Sequence, residues 1–267
     1  YIEGGSAYYV HDHVSAAKKA AFIHVDYVQA GYTRRLDKDC YMDFDRIFAV
    51  SDETAGVFAG VYPECQQKLS VFHNLIDTET IRQKALLPAE KAMHEGIRLL
   101  TVGRLTPQKG FDCAVYALKL LLEKQYPVYW YIIGEGPEYG RLTQLARSLH
   151  VEDHFIFLGM QTNPYPYFKM TDFYIHATRF EGKSIAIQEA QVLGCAIAAS
   201  DCSGNREQIV SGVDGLLCPF SPEGIANAVE YLIEHPQTAE SFGRAAAQKA
   251  CHFENDIHMI RDLLYSP

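Results

Sequence analysis

The chain has 267 residues, 48% hydrophobic, 12% aromatic and 21% charged, a composition of folded rather than disordered protein. At roughly 150 residues per domain the length fits two domains. Asp and Glu number 33 against 24 Lys and Arg, a net charge of −9, which excludes a general nucleic-acid or anionic-membrane binder and leaves room for a local basic pocket.

No apolar run approaches the ~18 residues of a membrane span, and no signal peptide is visible. The chain starts at Tyr1 rather than Met, so it reads as a fragment with more chain upstream. Seven cysteines (Cys40, Cys65, Cys113, Cys195, Cys202, Cys218, Cys251) include no CxxC pair. They argue against a disulfide framework or zinc ribbon and for reduced, mostly buried thiols in a cytosolic protein.

Short β-branched and aromatic runs alternate with helix-length segments, the rhythm of βαβ units and a parallel sheet. Strands are predicted at 20–25, 46–50 and 69–73, with Ser51 or Asp52 capping a helix after the second. Residues 86–96 lack strand character and contain a proline, which marks a linker. The pattern then restarts: strand 97–102, helix 110–124, strand 128–133, helix 138–149 and strand 154–158. A Pro-rich turn, strand 172–176, helix 184–193, strand 195–199, a short helix and a strand near 215–218 follow, and helices from Pro222 close the chain. Residues 1–88 therefore read as the last part of one sheet domain, and 89–267 as a complete doubly wound domain.

Four places could carry chemistry. Arg104 and Lys109 follow the strand ending at Val102 and Gly103 and precede a helix. Two cations there suit a diphosphate, although the same residues also read as an ordinary solvated loop. In RFEGKSIAIQEAQVLG, Ser184 can cap a helix whose first amides, from Gly182, Lys183 and Ser184, form an anion site. Glu189 lies four residues from Ile185 and from Leu193, hence on their apolar stripe. A carboxylate there needs partners: ligand hydroxyls such as a ribose diol, or an internal group such as Arg206. Gly134 opens GEGP, a tight strand–helix turn that lacks the last glycine of the phosphate fingerprint. His24, with Asp26 two residues on, closes the first strand and reads as a phosphate or acid–base group or as a structural histidine.

Three patterns mislead. Asp43-Phe44-Asp45 spells a DxD but precedes a strand directly, as a solvated turn would. His11-Asp12-His13 has no further metal ligands near it in sequence. Ser184 lacks a GxSxG elbow.

Taken in order, VGRLTPQKGFD, IIGEGPEYGRL, FIFLG, TDFYIHATRFEGKSIAIQEAQVLGCAIAASD and GVDGLL, preceded by FIHVDY, IFAVSDET and VFHNLID, resemble the retaining glycosyltransferases of family 4. Glu181 and Glu189 match that family's Glu-x7-Glu motif. The resemblance implies an α/β fold of GT-B type, two Rossmann-like parallel-sheet domains with the N-terminal one incomplete here. It implies a UDP- or GDP-type nucleotide-sugar donor, no cofactor and no metal. Arg104 and Lys109 would neutralise the diphosphate and Glu189 would take the ribose. Glu181 with the amides of Gly182, Lys183, Ser184 and Ile185 would hold the donor sugar or its phosphate. His24 would stand near that sugar, and the backbone at Gly159 and Met160 would face the base.

The implied partners are the donor and a saccharide or lipid-linked acceptor, in surface polysaccharide or glycolipid synthesis, with no nucleic acid. The implied location is cytoplasmic or at the inner face of a membrane, with any peripheral contact made through the part upstream. Lys183, where many members carry a small or aromatic residue, and Thr178, in place of a serine, depart from the pattern. A non-catalytic nucleotide-binding fragment and a UDP-sugar epimerase are the competing readings.

Overall fold

A computed structural model describes residues 4–250 and 256–265; Cys251 lies outside them. Two compact units emerge. The first takes the described residues up to Leu75, the short stretch Phe180–Ser184 and the C-terminal helix; the second takes Ile76–Arg179 and the chain from Ile185 onward.

In the first unit, β1 (Ala20–Ile23), β2 (Arg46–Ala49) and β3 (Leu69–Val71) form a parallel sheet in the order β1-β2-β3. Helix α1 (Gly5–His13), the short α2 (Arg34–Asp37) and α3 (Asp52–Val61) accompany it. Ser51 caps α3, its hydroxyl accepting from the Thr54 amide at 3.2 Å. One sheet face buries Ala21, Ile23 and Ile47 with the rings of Tyr27, Tyr41, Phe58 and Tyr62. The other gathers Phe22, Phe48 and Phe72, the Phe22–Phe48 centroids standing 5.1 Å apart. Apolar residues on both faces are what a parallel sheet requires.

The second unit opens with α4 (Thr78–Lys84), capped by Asp77, whose carboxylate accepts from the Thr80 amide at 2.9 Å. Residues 86–96, read above as a linker, have no regular structure, yet they are fastened within this unit. The Lys91 amide donates to the Tyr167 hydroxyl at 3.0 Å and the His94 amide to Tyr131 at 2.6 Å. Then come β4 (Ile97–Val102), α5 (Phe111–Glu123), β5 (Val128–Ile133), α6 (Tyr139–Ser148) and β6 (Phe155–Gly159). They are followed by α7 (Tyr165–Met170), β7 (Phe173–His176), α8 (Ile185–Val192), β8 (Ala196–Ser200), the short α9 (Ser203–Arg206), β9 (Leu216–Cys218), α10 (Pro222–Glu234) and α11 (Pro236–Ala250). Helix α12 (Ile257–Tyr265) belongs to the first unit.

The second sheet is parallel, in the order β6-β5-β4-β7-β8-β9. Alternate residues feed two cores: Leu99, Trp130, Ile132 and Ile175 pack under α5 and α10, and Leu100, Tyr131, Tyr174 and Ile197 lie on the opposite face. Strand order reverses between β4 and β7, so the ligand crevice of such a sheet is expected beyond their carboxyl ends. The described cysteines are free thiols, five of them buried and Cys202 half-buried. No helix among the described residues is long and apolar enough to cross a membrane.

Candidate functional site

The crevice end of the second unit is built from glycine contacts. A Cβ on Gly134, at φ 143, would stand 2.0 Å from the Gly103 carbonyl oxygen, and one on Gly136 would stand 2.4 Å from that of Leu105. The Gly103 amide donates to Ile133 and the Gly134 amide to Gly159, each at 3.0 Å. The ends of β4, β5 and β6 are therefore locked together. The GEGP turn, a tight turn on spacing alone, also lines a cavity of about 520 Å³ with Tyr139, Phe157, Leu158 and Gly159. Met160 is 71% exposed just beyond Gly159.

Arg104 leaves this glycine-packed corner exposed to solvent, and its side chain meets no carboxylate among the described residues. Lys109 closes a single 3-10 turn, Pro107–Lys109, and its Cδ would lie 3.6 Å from a Cβ on Gly103. Gly110, at φ 62, then opens α5; a Cβ there would stand 2.2 Å from the Ala177 carbonyl oxygen.

The brace around Lys109 escaped the sequence reading. The Arg179 guanidinium holds Asp112 bidentately at 2.7 and 3.0 Å, donates to the Pro107 carbonyl at 2.5 Å and lies over the Phe220 ring. That hydrogen-bonded pairing raises the Arg179 pKa, and Asp112 stays below the usual carboxylate range despite its burial, because Arg179 binds it. An Arg–Asp fork at 67 residues' separation leaves no local sequence pattern.

Glu189 is half-buried on α8, and the Tyr165 hydroxyl donates to its Oε1 at 3.0 Å. Burial raises its pKa, with the Tyr165 hydrogen bond opposing; the Tyr165 hydroxyl itself is pushed up to about 12 by burial and by Glu189. Two expectations need correction. Ile185 is 50% exposed, so Glu189 does not sit in an apolar stripe running from Ile185 to Leu193. Its internal partner is Tyr165 rather than Arg206, which pairs with Asp201 at 2.6 Å.

The remaining predicted residues gather in the first unit. Gly182 rests on the backbone at His24: a Cβ would stand 2.1 Å from the His24 carbonyl oxygen. Glu181 and Ser184 are buried and Lys183 is half-buried, its carbonyl accepting from the Asn74 side chain at 3.2 Å. His24 lies one residue past the end of β1 rather than inside a strand. Its ring stacks on Phe22 and burial lowers its pKa. Asp26, two residues on, spends its carboxylate on the amides of Val28 and Gln29 at 3.1 and 2.9 Å. Asp43 accepts from His11 Nε2 of α1 at 2.8 Å and Asp45 from the Lys19 amide just before β1 at 2.6 Å, so both acids of the DxD have internal partners. Among the described residues no group of three or more His, Cys, Asp and Glu is placed to hold a metal ion.

Residues 79–249 match the family described as glycosyl transferases group 1. The chain belongs to that family. Among curated relatives of this group 1 chain, it is 30% identical over 200 residues to a diphospho-undecaprenol N-acetylgalactosaminyltransferase of Campylobacter jejuni, covering 74% of this chain and 53% of that one. The chain spans about half the length of the curated relatives it matches. Among solved structures, Anabaena HepE with UDP and glucose superposes with a TM-score of 0.79 at 19% identity, over 94% of this chain and 72% of that one. Staphylococcus aureus TarM superposes with a TM-score of 0.76 at 16% identity, over 93% and 51%. The fold is the GT-B type of those glycosyltransferases.

Proposed function

We propose that this chain carries the donor site of a retaining, metal-independent glycosyltransferase. It would move a sugar from a UDP- or GDP-type nucleotide sugar to a saccharide or lipid-linked acceptor, in surface polysaccharide or glycolipid synthesis. One observation carries the proposal. Gly103, next to Arg104 at the end of β4 and packed against the Lys109 side chain, touches Gly134, which lines the cavity at the ends of β5 and β6. UDP in the Anabaena relative supports the donor class, and the diphospho-undecaprenol acceptor in the Campylobacter relative's name supports a lipid-linked acceptor.

The chemistry follows from charge. The acceptor oxygen bonds to the sugar's anomeric carbon as the bond to the diphosphate breaks, and a diphosphate oxygen takes the acceptor proton. Negative charge grows on the leaving group, and Arg104 and Lys109 offset it more strongly in the transition state than in the ground state. Retention is taken from the family pattern; with no carboxylate nucleophile assigned, the retaining route is attack on the face of the leaving group. Glu189 takes the ribose hydroxyls, and the cavity beside Gly159 and Met160 takes the base. In the first unit, Glu181, with the amides of Gly182 to Ser184, and His24 are assigned to the donor sugar by the family pattern. A cytoplasmic location, at or near a membrane face, is part of the same proposal.

A thermal-shift titration with UDP, GDP, ADP, CMP and their sugars, with and without EDTA, tests it. Ligand at ~100 times its dissociation constant adds ~2.7 kcal/mol of stability. One nucleotide raising the midpoint regardless of EDTA supports the reading; no shift with any of them refutes donor binding by this chain. Turnover of a UDP-sugar without acceptor would mark an epimerase instead.

A further inference from the structure

The Glu-x7-Glu helix explains why a carboxylate stands at position 189 but not what aims it. The Tyr165 hydroxyl donates to Glu189 Oε1 at 3.0 Å, and the second carboxylate oxygen takes no hydrogen bond among the described residues. Tyr165, like Ile76 and Leu193, packs against the buried cluster of Ile81, Val192 and Ala250, and its ring lies 6.4 Å from that of Phe168.

The segment that delivers Tyr165 is fastened along its length. The Gln161 side chain donates to the Leu158 carbonyl at 2.9 Å, and the Asn163 side chain to that of Lys84 at 2.9 Å. Pro164 precedes Tyr165 and Pro166 follows it, while the Tyr167 hydroxyl is anchored by the Lys91 amide. This segment starts at Gly159, on the lip of the glycine-lined cavity.

We propose that Tyr165 is a positioning residue for donor binding: by holding Oε1 it fixes the rotation of the Glu189 carboxylate, so that its open edge meets a ribose cis-diol. The inference rests on the donor-site reading above and goes beyond it. It assigns discrimination between ribo- and 2′-deoxyribonucleotides to a residue outside every motif of the sequence. A free glutamate loses several rotamers on meeting a diol, whereas a tethered one has already lost them. The hydroxyl also favours the ionised carboxylate, the form that accepts from both ribose hydroxyls. Among the groups around the pair, Asp77 before α4 is the other charge acting on Tyr165, and it is unchanged by the test.

The test is Tyr165→Phe, which removes one oxygen and keeps the packed ring. Affinities of wild type, Tyr165→Phe and Glu189→Gln for UDP and 2′-deoxy-UDP, and for the GDP pair, are measured by calorimetry between about pH 5 and 8. Wild type is expected to prefer the ribonucleotide by about tenfold, one charge-assisted hydrogen bond's worth. Glu189→Gln should lose most of that preference. Tyr165→Phe should also lose most of it, and the acid limb of its affinity should move to higher pH, which a merely structural tyrosine would not cause. Wild-type preference and an unmoved acid limb in Tyr165→Phe, with the preference lost in Glu189→Gln, overturn the inference and leave the donor site standing. Absence of nucleotide binding, or of ribose preference, in wild type overturns the ribose assignment itself.

Discussion

Gly134→Ala tests the architecture of the site most directly. The new Cβ would lie 2.0 Å from the Gly103 carbonyl oxygen, on a backbone with φ 143. Side chains essentially never adopt that conformation, and holding one there costs about 1–3 kcal/mol. Relieving the overlap parts the ends of β4 and β5 by about 1 Å, and overpacking of that size adds about 1–3 kcal/mol. The sum of about 2–6 kcal/mol lowers the thermal midpoint by roughly 4–24 °C, taking 2–4 °C per kcal/mol for a unit of this size. Gly140→Ala is the matched control. It lies in α6 with nothing within 4 Å of its Cβ, so it should gain about 0.5–1 kcal/mol from helix propensity. Differential scanning calorimetry reads both. A Gly134→Ala midpoint equal to wild type, with the Gly140→Ala midpoint raised, would refute the claim that backbone contact at Gly103 dictates glycine there.

Lys109→Ala and Glu189→Gln should each weaken nucleoside-diphosphate binding by ~1.5–3 kcal/mol, about tenfold or more by calorimetry; unchanged affinity in both removes them from the site. Because burial raises the Glu189 pKa and hydrogen bonds from a diol lower it, wild type should release more protons on binding at about pH 5 than Glu189→Gln does. Equal release, read from the buffer dependence of the binding heat, contradicts the assignment. The His24 pKa is held below its ordinary 6.5 by burial, so its neutral form is the folded one. Its contribution to stability is intact above 6.5 and is lost as pH falls toward the depressed value, where the unfolded chain takes the proton first. A urea midpoint for His24→Gln that falls as steeply with pH as wild type's would show that His24 is not the group responsible. Gly182→Ala should destabilise the first unit, since its Cβ would meet the His24 carbonyl at 2.1 Å; thermal unfolding with a wild-type midpoint contradicts that contact.

Much of this was legible in the sequence because its signals were local. Strand runs such as VYWYII, read at 128–133, are found there to the residue. Ser51 capping α3 follows from one side chain and the turn it faces. The GEGP turn announced itself because backbone close approach at Gly134 and Gly136 admits only glycine. What the sequence hid was long-range. Asp112 and Arg179 are distant in the chain and meet only because β4 and β7 are neighbours, Leu99 opposite Phe173. The stretch around Pro164 and Pro166 read as a turn, since prolines break periodicity, yet Tyr165–Met170 is a helix with Pro164 just before it and Pro166 in its first turn.

The misreading at Glu189 separates the two kinds of inference. Spacing put Ile185, Glu189 and Leu193 on one helical face, and helical geometry does make them neighbours. It cannot say whether that face looks into a core or into a crevice. Ile185 at the start of α8 is exposed, while Glu189 and Leu193, just past the helix end, are half-buried. A half-buried carboxylate on such a face has one oxygen for the protein and one for something else. Tyr165 takes the first. That division, rather than an apolar stripe, makes position 189 a place where a ligand's hydroxyls can replace water without leaving a buried charge unsatisfied.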